Sequence, residues 1–319
     1  HLGPVRRAVL RAVVARVEQP GALAIRVARL DYNLLRLRVH LSGVEVASAR
    51  TVTQPFFTAA VVDVTVSPRV GAPWFELGDV TVTGGHLVIE RTANGTNLPS
   101  SSDDGSESGP LLFDRLTVQS EVLVSDRTQN LELRLPALAM VIDHGTGTVR
   151  LDQPGTFRFG ASALSLTQLS GGLGFDGRDL SLLRVLLVSS AGQLQVDGRV
   201  GLLSAVPAVA LRIAAQADVY AIAAWFPEAG HLAGGLTGDA TIRGSLADPS
   251  ATFHLHAARL DVGSSRGSNV DVRGTVNARG LSVDAASADL WRGHVDVSGA
   301  LSFGDGPHRV AVTARDVDA

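Results

Sequence analysis

Leu131-Glu132-Leu133-Arg134-Leu135-Pro136-Ala137-Leu138-Ala139-Met140-Val141-Ile142 decides the fold class. Leu131, Leu133 and Leu135 alternate with Glu132 and Arg134, and Leu138, Met140 and Ile142 continue beyond Pro136. A period of two belongs to a strand with one apolar and one polar face. The same period runs outward along most of the chain. Upstream it takes Ile25, Val27 and Leu30, then Leu35, Leu37, Val39 and Leu41 among Arg36, Arg38 and His40. It continues through Val62, Val64 and Val66, then Val80 and Val82, then Leu87 and Ile89 after Gly84-Gly85. Downstream come Leu194, Val196, Val200 and Leu202, then Val209, Leu211 and Ile213, then Phe253 and Leu255, then Val295 and Val297. Turn signals at Gly84-Gly85, Asn94-Gly95, Asp126-Arg127, Gly171-Gly172, Asp176-Gly177, Gly234-Gly235 and Asp305-Gly306 predict hairpins and meanders.

Two segments read as helix. Pro4 opens an amphipathic one, with Val5, Val9, Val13 and Val17 on one face and Arg6, Arg7, Arg11 and Arg16 elsewhere, stopped by Pro20-Gly21. Its arginines suit anionic headgroups, and equally it suits a cap over the end of a sheet. A short helix is expected near 218–227, N-capped by Asp218. The run from Ser100 to Gly109 is small, polar and unpatterned. It reads as a linker over 100–110 between a segment 1–99 and a segment 111–319.

Composition narrows the function. The 319 residues carry 28 basic and 31 acidic side chains, a net charge of -3, which argues against nucleic-acid binding. There is no cysteine, which removes disulfides, Fe–S clusters and thiol chemistry. Val219–Phe226, the longest apolar run, has 8 residues, against the roughly 18 of a spanning helix.

The chemical motifs weaken in context. Gly172-Leu173-Gly174-Phe175-Asp176-Gly177 followed by Asp197 matches a dinucleotide fingerprint by letter, but no βαβ alternation surrounds it, and it reads as a glycine-rich turn. His254 and His256 share a strand face, with no third ligand apparent nearby. Asp103 and Asp104 fall in the linker, and no Gly-x-Ser-x-Gly elbow occurs. Trp74, Trp225 and Trp291 suit a lipid interface or a core edge. No catalytic residue, metal ligand or cofactor is expected.

A degenerate repeat places glycine between polar and apolar neighbours: Val196-Asp197-Gly198-Arg199-Val200, Ile242-Arg243-Gly244-Ser245-Leu246, Val272-Arg273-Gly274-Thr275-Val276 and Val297-Ser298-Gly299-Ala300-Leu301. The glycine sits in the apolar register, where a missing side chain permits a sharp bend or a close approach. So many one-faced strands need cover, and two helices are too few to provide it. Two sheets in a sandwich, a closed barrel, or a curled trough whose inner face takes apolar ligands all satisfy the pattern.

Three phrases resemble the AsmA/TamB family of bacterial envelope proteins. One is the arginine-rich helix with Pro20-Gly21-Ala22-Leu23-Ala24-Ile25, Leu30-Asp31-Tyr32-Asn33-Leu34-Leu35 and Leu41-Ser42-Gly43-Val44-Glu45-Val46. Another is Phe75 to Arg91, a strand, a glycine pair and a strand, followed by Asn94-Gly95-Thr96-Asn97-Leu98. The last is Leu236 to Pro249 with Ala251-Thr252-Phe253-His254-Leu255. The resemblance implies an elongated, mainly antiparallel β-protein curled into a hydrophobic groove. It implies a periplasmic segment of a lipid conduit, with an inner-membrane anchor upstream of His1, phospholipids as cargo and an outer-membrane barrel protein as partner. The candidate lining is Val62, Val64, Val66, Val80, Val82, Leu87, Ile89, Leu131, Leu133, Leu135, Leu138, Met140, Leu194, Val196, Leu211, Ile213, Phe253, Leu255, Val295 and Val297. The rival expectation is a β-sandwich scaffold that assists outer-membrane protein assembly without carrying lipid.

Overall fold

The computed structural model describes residues 23–33, 36–48, 54–68, 75–92, 95–98, 113–201, 208–223, 231–245, 248–290, 293–303 and 309–315. The expected N-terminal helix, the 100–110 linker and the three tryptophans lie outside the described residues. The protein is mainly β: nineteen strands belong to one large, mostly antiparallel sheet. They are β1 Leu23–Asn33, β2 Arg38–Ser48, β3 Pro55–Pro68, β4 Phe75–Thr92, β5 Gly95–Thr96, β6 Phe113–Asp126, β7 Leu131–Asp143, β8 Thr146–Leu151, β9 Gly155–Phe159 and β10 Ser162–Phe175. There follow β11 Asp179–Ser189, β12 Gly192–Gly201, β13 Ala208–Asp218, β14 Leu232–Ser245, β15 Pro249–Val262, β16 Ser265–Asn277, β17 Gly280–Leu290, β18 Gly293–Ser302 and β19 Arg309–Arg315. Helix α1 is Val219–Ile222, with the Asp218 carboxylate accepting from the Tyr220 backbone N–H at 3.0 Å. Of the expected 218–227 helix, residues 224–227 lie outside the described residues.

The chain divides into two compact units: His1–Ser165, Ser170–Leu180 and Leu203–Val206 form one, and Leu166–Leu169, Ser181–Leu202 and Pro207–Ala319 the other. In the first, β1 to β4 are consecutive antiparallel neighbours, β6 joins β4 in parallel, and β7 follows antiparallel. Residues 138–143 of β7 pair with β8, and residues 131–134 with β9. In the second unit β12 to β19 form an unbroken antiparallel meander.

Three of the expected hairpin turns are not turns. Gly84-Gly85 lies inside β4, Gly171-Gly172 inside β10 and Gly234-Gly235 inside β14. β3 pairs with β4 on both sides of the first pair, Val64 opposite Val80 and Phe57 opposite Leu87, so the chain does not reverse there. The positive φ of Gly84 makes a bulge in a continuing strand. Leu37, expected in a strand, is in the β1–β2 turn at φ 47°. The motif at 172–177 is the end of β10 running into a turn at Asp176-Gly177.

A line of such irregularities crosses the first unit. Register sets Ala28, Gly43, Ala60 and Gly84 side by side on β1 to β4, and all four are exposed. Beyond it the pleat changes phase. On β2 the buried residues are Val39 and Leu41 on one side of the line and Val44 on the other. On β7 the extra residue at Pro136-Ala137 does the same, opposite Glu121 of β6. The break between β8 and β9 meets this point, with the Asp152 N–H bonded to the Ala137 carbonyl at 2.8 Å. The phase shift keeps the apolar residues of both strand halves on one face. Leu30, Val39, Leu41, Val44, Ala59 and Val82 form the buried cluster there.

Candidate functional site

The apolar face of the first unit is built from transverse rows. One runs Leu30, Leu41, Val62, Val82, Val118, Met140 and Val149 across seven strands. Another runs Tyr32, Val39, Val64, Val80, Leu116 and Ile142. Beyond the line of irregularities a third runs Val46, Phe57, Leu87, Val122 and Leu135. Ile89, Val124 and Leu133 are in register beside it. Of the expected lining, Val62, Val64, Val66, Val80 and Val82 belong to or pack against the buried cluster. The β6 residues Val118, Val122 and Val124 were absent from that expectation, although Leu116, Val118, Val122 and Val124 carry the period of two in the sequence.

The second unit has its own face. Val196, Ile213, Ala240, Phe253, Gly274, Val283, Gly299 and Val310 form one row across β12 to β19. Leu194, Ala215, Gly238, Leu255, Val272, Ala286, Val297 and Val312 form the next. Gly198, Leu211, Ile242, Ala251, Val276, Leu281 and Leu301 form a third. Every residue of these rows is apolar or glycine, so Leu194, Val196, Leu211, Ile213, Phe253, Leu255 and Val297 come together on one face. Val295, two residues before Val297, shares it. The intervening rows carry Gln195, Asp239, His254, Arg273 and Ser298 on the opposite face.

Burial differs between the two faces: the rows of the first unit include the buried cluster, whereas those of the second are mostly half-buried. No large side chain among the described residues is fully buried. Most of the expected lining residues are half-buried, and on β19 Val310 and Val312 are 65% and 63% exposed.

The repeated glycines are sites of close approach. A Cβ at Gly198, Gly274 or Gly299 would lie 2.2, 2.1 or 2.4 Å from a carbonyl oxygen of the adjoining strand, that of Ala210, Ser282 or Arg309. At Gly244 it would meet the Asp248 carbonyl at 2.9 Å. Gly274 also makes room for the Phe253 ring, whose Cζ is 2.8 Å from that Cβ position.

The polar side is laced with histidine–carboxylate pairs: His40 with Asp63 at 2.8 Å, His254 with Asp271 at 2.6 Å and His294 with Asp289 at 2.9 Å. The hydrogen bond from His254 holds the Asp271 carboxyl below its usual range. Hydrogen bonds from His294 and Asn269 do the same to Asp289, and His294 is raised in return. Among the described residues no three such groups converge on a metal site.

No family model, curated protein or solved structure matches this chain. The site is therefore read from its own chemistry.

Proposed function

We propose that the apolar sheet face of each unit holds phospholipid acyl chains, and that the protein is a periplasmic segment of a lipid conduit of the AsmA/TamB type. The reading rests on one observation: unbroken rows of apolar residues and glycine cross many strands, and in the second unit most of their side chains are only half-buried. Each methylene that such a face withdraws from water contributes about 0.8 kcal/mol, so an acyl chain gains steadily with its length. Repeated rows of Val, Leu, Ile and Ala offer many near-equivalent positions. Movement along them meets no single deep trap, as transfer between membranes requires. Such a conduit works by a curled sheet, an inner-membrane anchor and an outer-membrane acceptor.

Native mass spectrometry of the purified chain, followed by solvent extraction and lipid identification, tests this reading. Several phospholipids with mixed headgroups are expected, with loss in Val64→Asp and Leu133→Asp variants that retain their far-UV circular dichroism. A lipid-free, monodisperse protein would overturn it in favour of a β-scaffold whose apolar faces cover one another.

A further inference from the structure

Strand β19 is the last of the second unit's meander, and among the described residues it pairs with β18 alone. All seven of its residues, Arg309–Arg315, are exposed. Natural proteins guard an unpaired strand edge with proline, a bulge or a charge turned onto the apolar face. β19 has none of these. It holds no proline, and its register with β18 runs without a shift from Arg309–Ala300 to Arg315–His294. The side chains it adds to the apolar face are Val310, Val312 and Ala314. Leu301 on β18 and Phe303 just beyond it are exposed as well. The two arginines stand at the strand's ends on the polar face, where they select the register of a partner.

This edge is self-complementary. Two copies related by a two-fold axis normal to the sheet pair antiparallel and keep both apolar faces on one side. An axis through Val312 would set Arg309 against Arg315 of the second copy, and like charges directly opposite are destabilising. An axis through Ala311 sets Ala311 against its own copy, Val310 against Val312 and Arg309 against Thr313. Thr313 is in turn opposite Asp296 on β18. Arg309 then lies two strand spacings, about 10 Å between Cα atoms, from Asp296 of the second copy. An arginine and an aspartate side chain together span that gap. Arg309 forms no ion pair among the described residues, and Asp296 meets Arg315 at 4.0 Å, beyond hydrogen-bond range.

We infer that β19 is the edge of a homodimer: a second copy pairs with it antiparallel about Ala311. The apolar faces of the two second units then join. The row Val272–Ala286–Val297–Val312 continues into Val310, Gly299 and Val283 of the second copy. Dimerisation does not depend on the acyl-chain reading, although it doubles the face which that reading uses.

Sedimentation velocity of the delipidated chain over about 1–200 µM tests the inference. A monomer–dimer equilibrium with a Kd on the order of 10 µM is expected, since one edge strand buries less than a standard interface. The chain has no cysteine, so one introduced thiol reports the register. Oxidised Ala311→Cys is expected to form a disulfide dimer, because directly opposed Cα atoms are about 4.5–5.5 Å apart. Thr313→Cys, whose two copies would stand about 13 Å apart along the strands, is expected to stay uncrosslinked. Arg309→Glu is expected to weaken the dimer by about two- to thirtyfold, the loss of two exposed ion pairs. All three side chains are exposed, so wild-type far-UV circular dichroism is expected in each variant. A monomer throughout the range would overturn the inference and leave lipid binding to its own test. Oligomers beyond the dimer, or crosslinking of Thr313→Cys in place of Ala311→Cys, would overturn it too. So would a monomer whose Ala311→Cys thiol resists a small maleimide, which would assign the edge to another occupant.

Discussion

Gly84 stands directly against Ala60 at φ +62°, where a Cβ would lie 2.9 Å from the alanine methyl carbon. Gly43 meets Ala28 in the same way, at φ +61° and 2.9 Å. Alanine and glycine thus alternate along one row of four strands. That row is where the pleat of the first unit changes phase, because only a residue without Cβ adopts the left-handed conformation in so little space.

Gly84→Val is therefore expected to destabilise the protein by about 2–4 kcal/mol, combining a strained β-branched residue with overlap. Gly235→Ala is the control: nothing lies within 4 Å of its Cβ position. Its effect is expected within about 0.5 kcal/mol. Urea unfolding of both variants provides the comparison, and equal midpoints would remove the phase-shift role from Gly84.

Gly274→Ala brings a methyl against the Ser282 carbonyl and the Phe253 ring. Backbone has to move in a paired strand, and a cost of about 1–3 kcal/mol is expected. Phe253→Leu in the same background relieves the ring contact and is expected to recover part of the loss, read as a double-mutant cycle in denaturant.

Asn97 is buried to 8% exposure and bonds β4 on two sides. Its Oδ1 accepts from the Glu90 N–H at 2.9 Å and its Nδ2 donates to the Val88 carbonyl at 2.8 Å. Asn97→Ala leaves two backbone groups without these partners and is expected to cost about 1–3 kcal/mol. Faster amide exchange at Glu90 would localise the effect.

His294 is raised above its ordinary 6.5 by the hydrogen bond to Asp289, with the Asp296 charge adding to it. A raised histidine contributes stability that is complete below the unfolded value and is lost as pH rises through the folded one. The thermal midpoint of the wild type is therefore expected to exceed that of His294→Gln at about pH 6, with the gap closing toward about pH 8. Asp289, held low by the same bond, adds a second loss as pH falls through its folded value, below 3.8. A gap that does not change with pH would refute the coupling.

Val312 gives the cleanest test of the lipid face. It ends the Leu255–Val272–Val297 row and is 63% exposed, so Val312→Asp is expected to leave the thermal midpoint nearly unchanged. Lipid stoichiometry by native mass spectrometry is expected to fall. The partner substitution Thr313→Asp, on the polar face, is expected to leave it unaltered.

The strands were legible because a period of two needs nothing beyond neighbouring residues. Leu131 to Ile142 even displays the phase change at Pro136-Ala137, since its apolar positions are odd before the proline and even after it. Gly84-Gly85 misled for a physical reason. Glycine with φ > 0 serves a tight turn and a mid-strand bulge equally, and the choice depends on whether β3 is long enough to pair on both sides. Asn97 gave no signal of burial, because its partners are backbone groups of β4 across the local β4–β5 turn, and a polar residue after a turn reads the same whether it folds inward or outward.

The sequence by itself determined a cysteine-free, mainly β chain with one apolar and one polar face per strand. Side-chain direction along a strand is a local consequence of backbone geometry. Only the tertiary structure decided which strands are neighbours, where the pleat shifts and that the rows join into a face on each unit. Those are matters of register, and register depends on pairing between residues far apart in the chain.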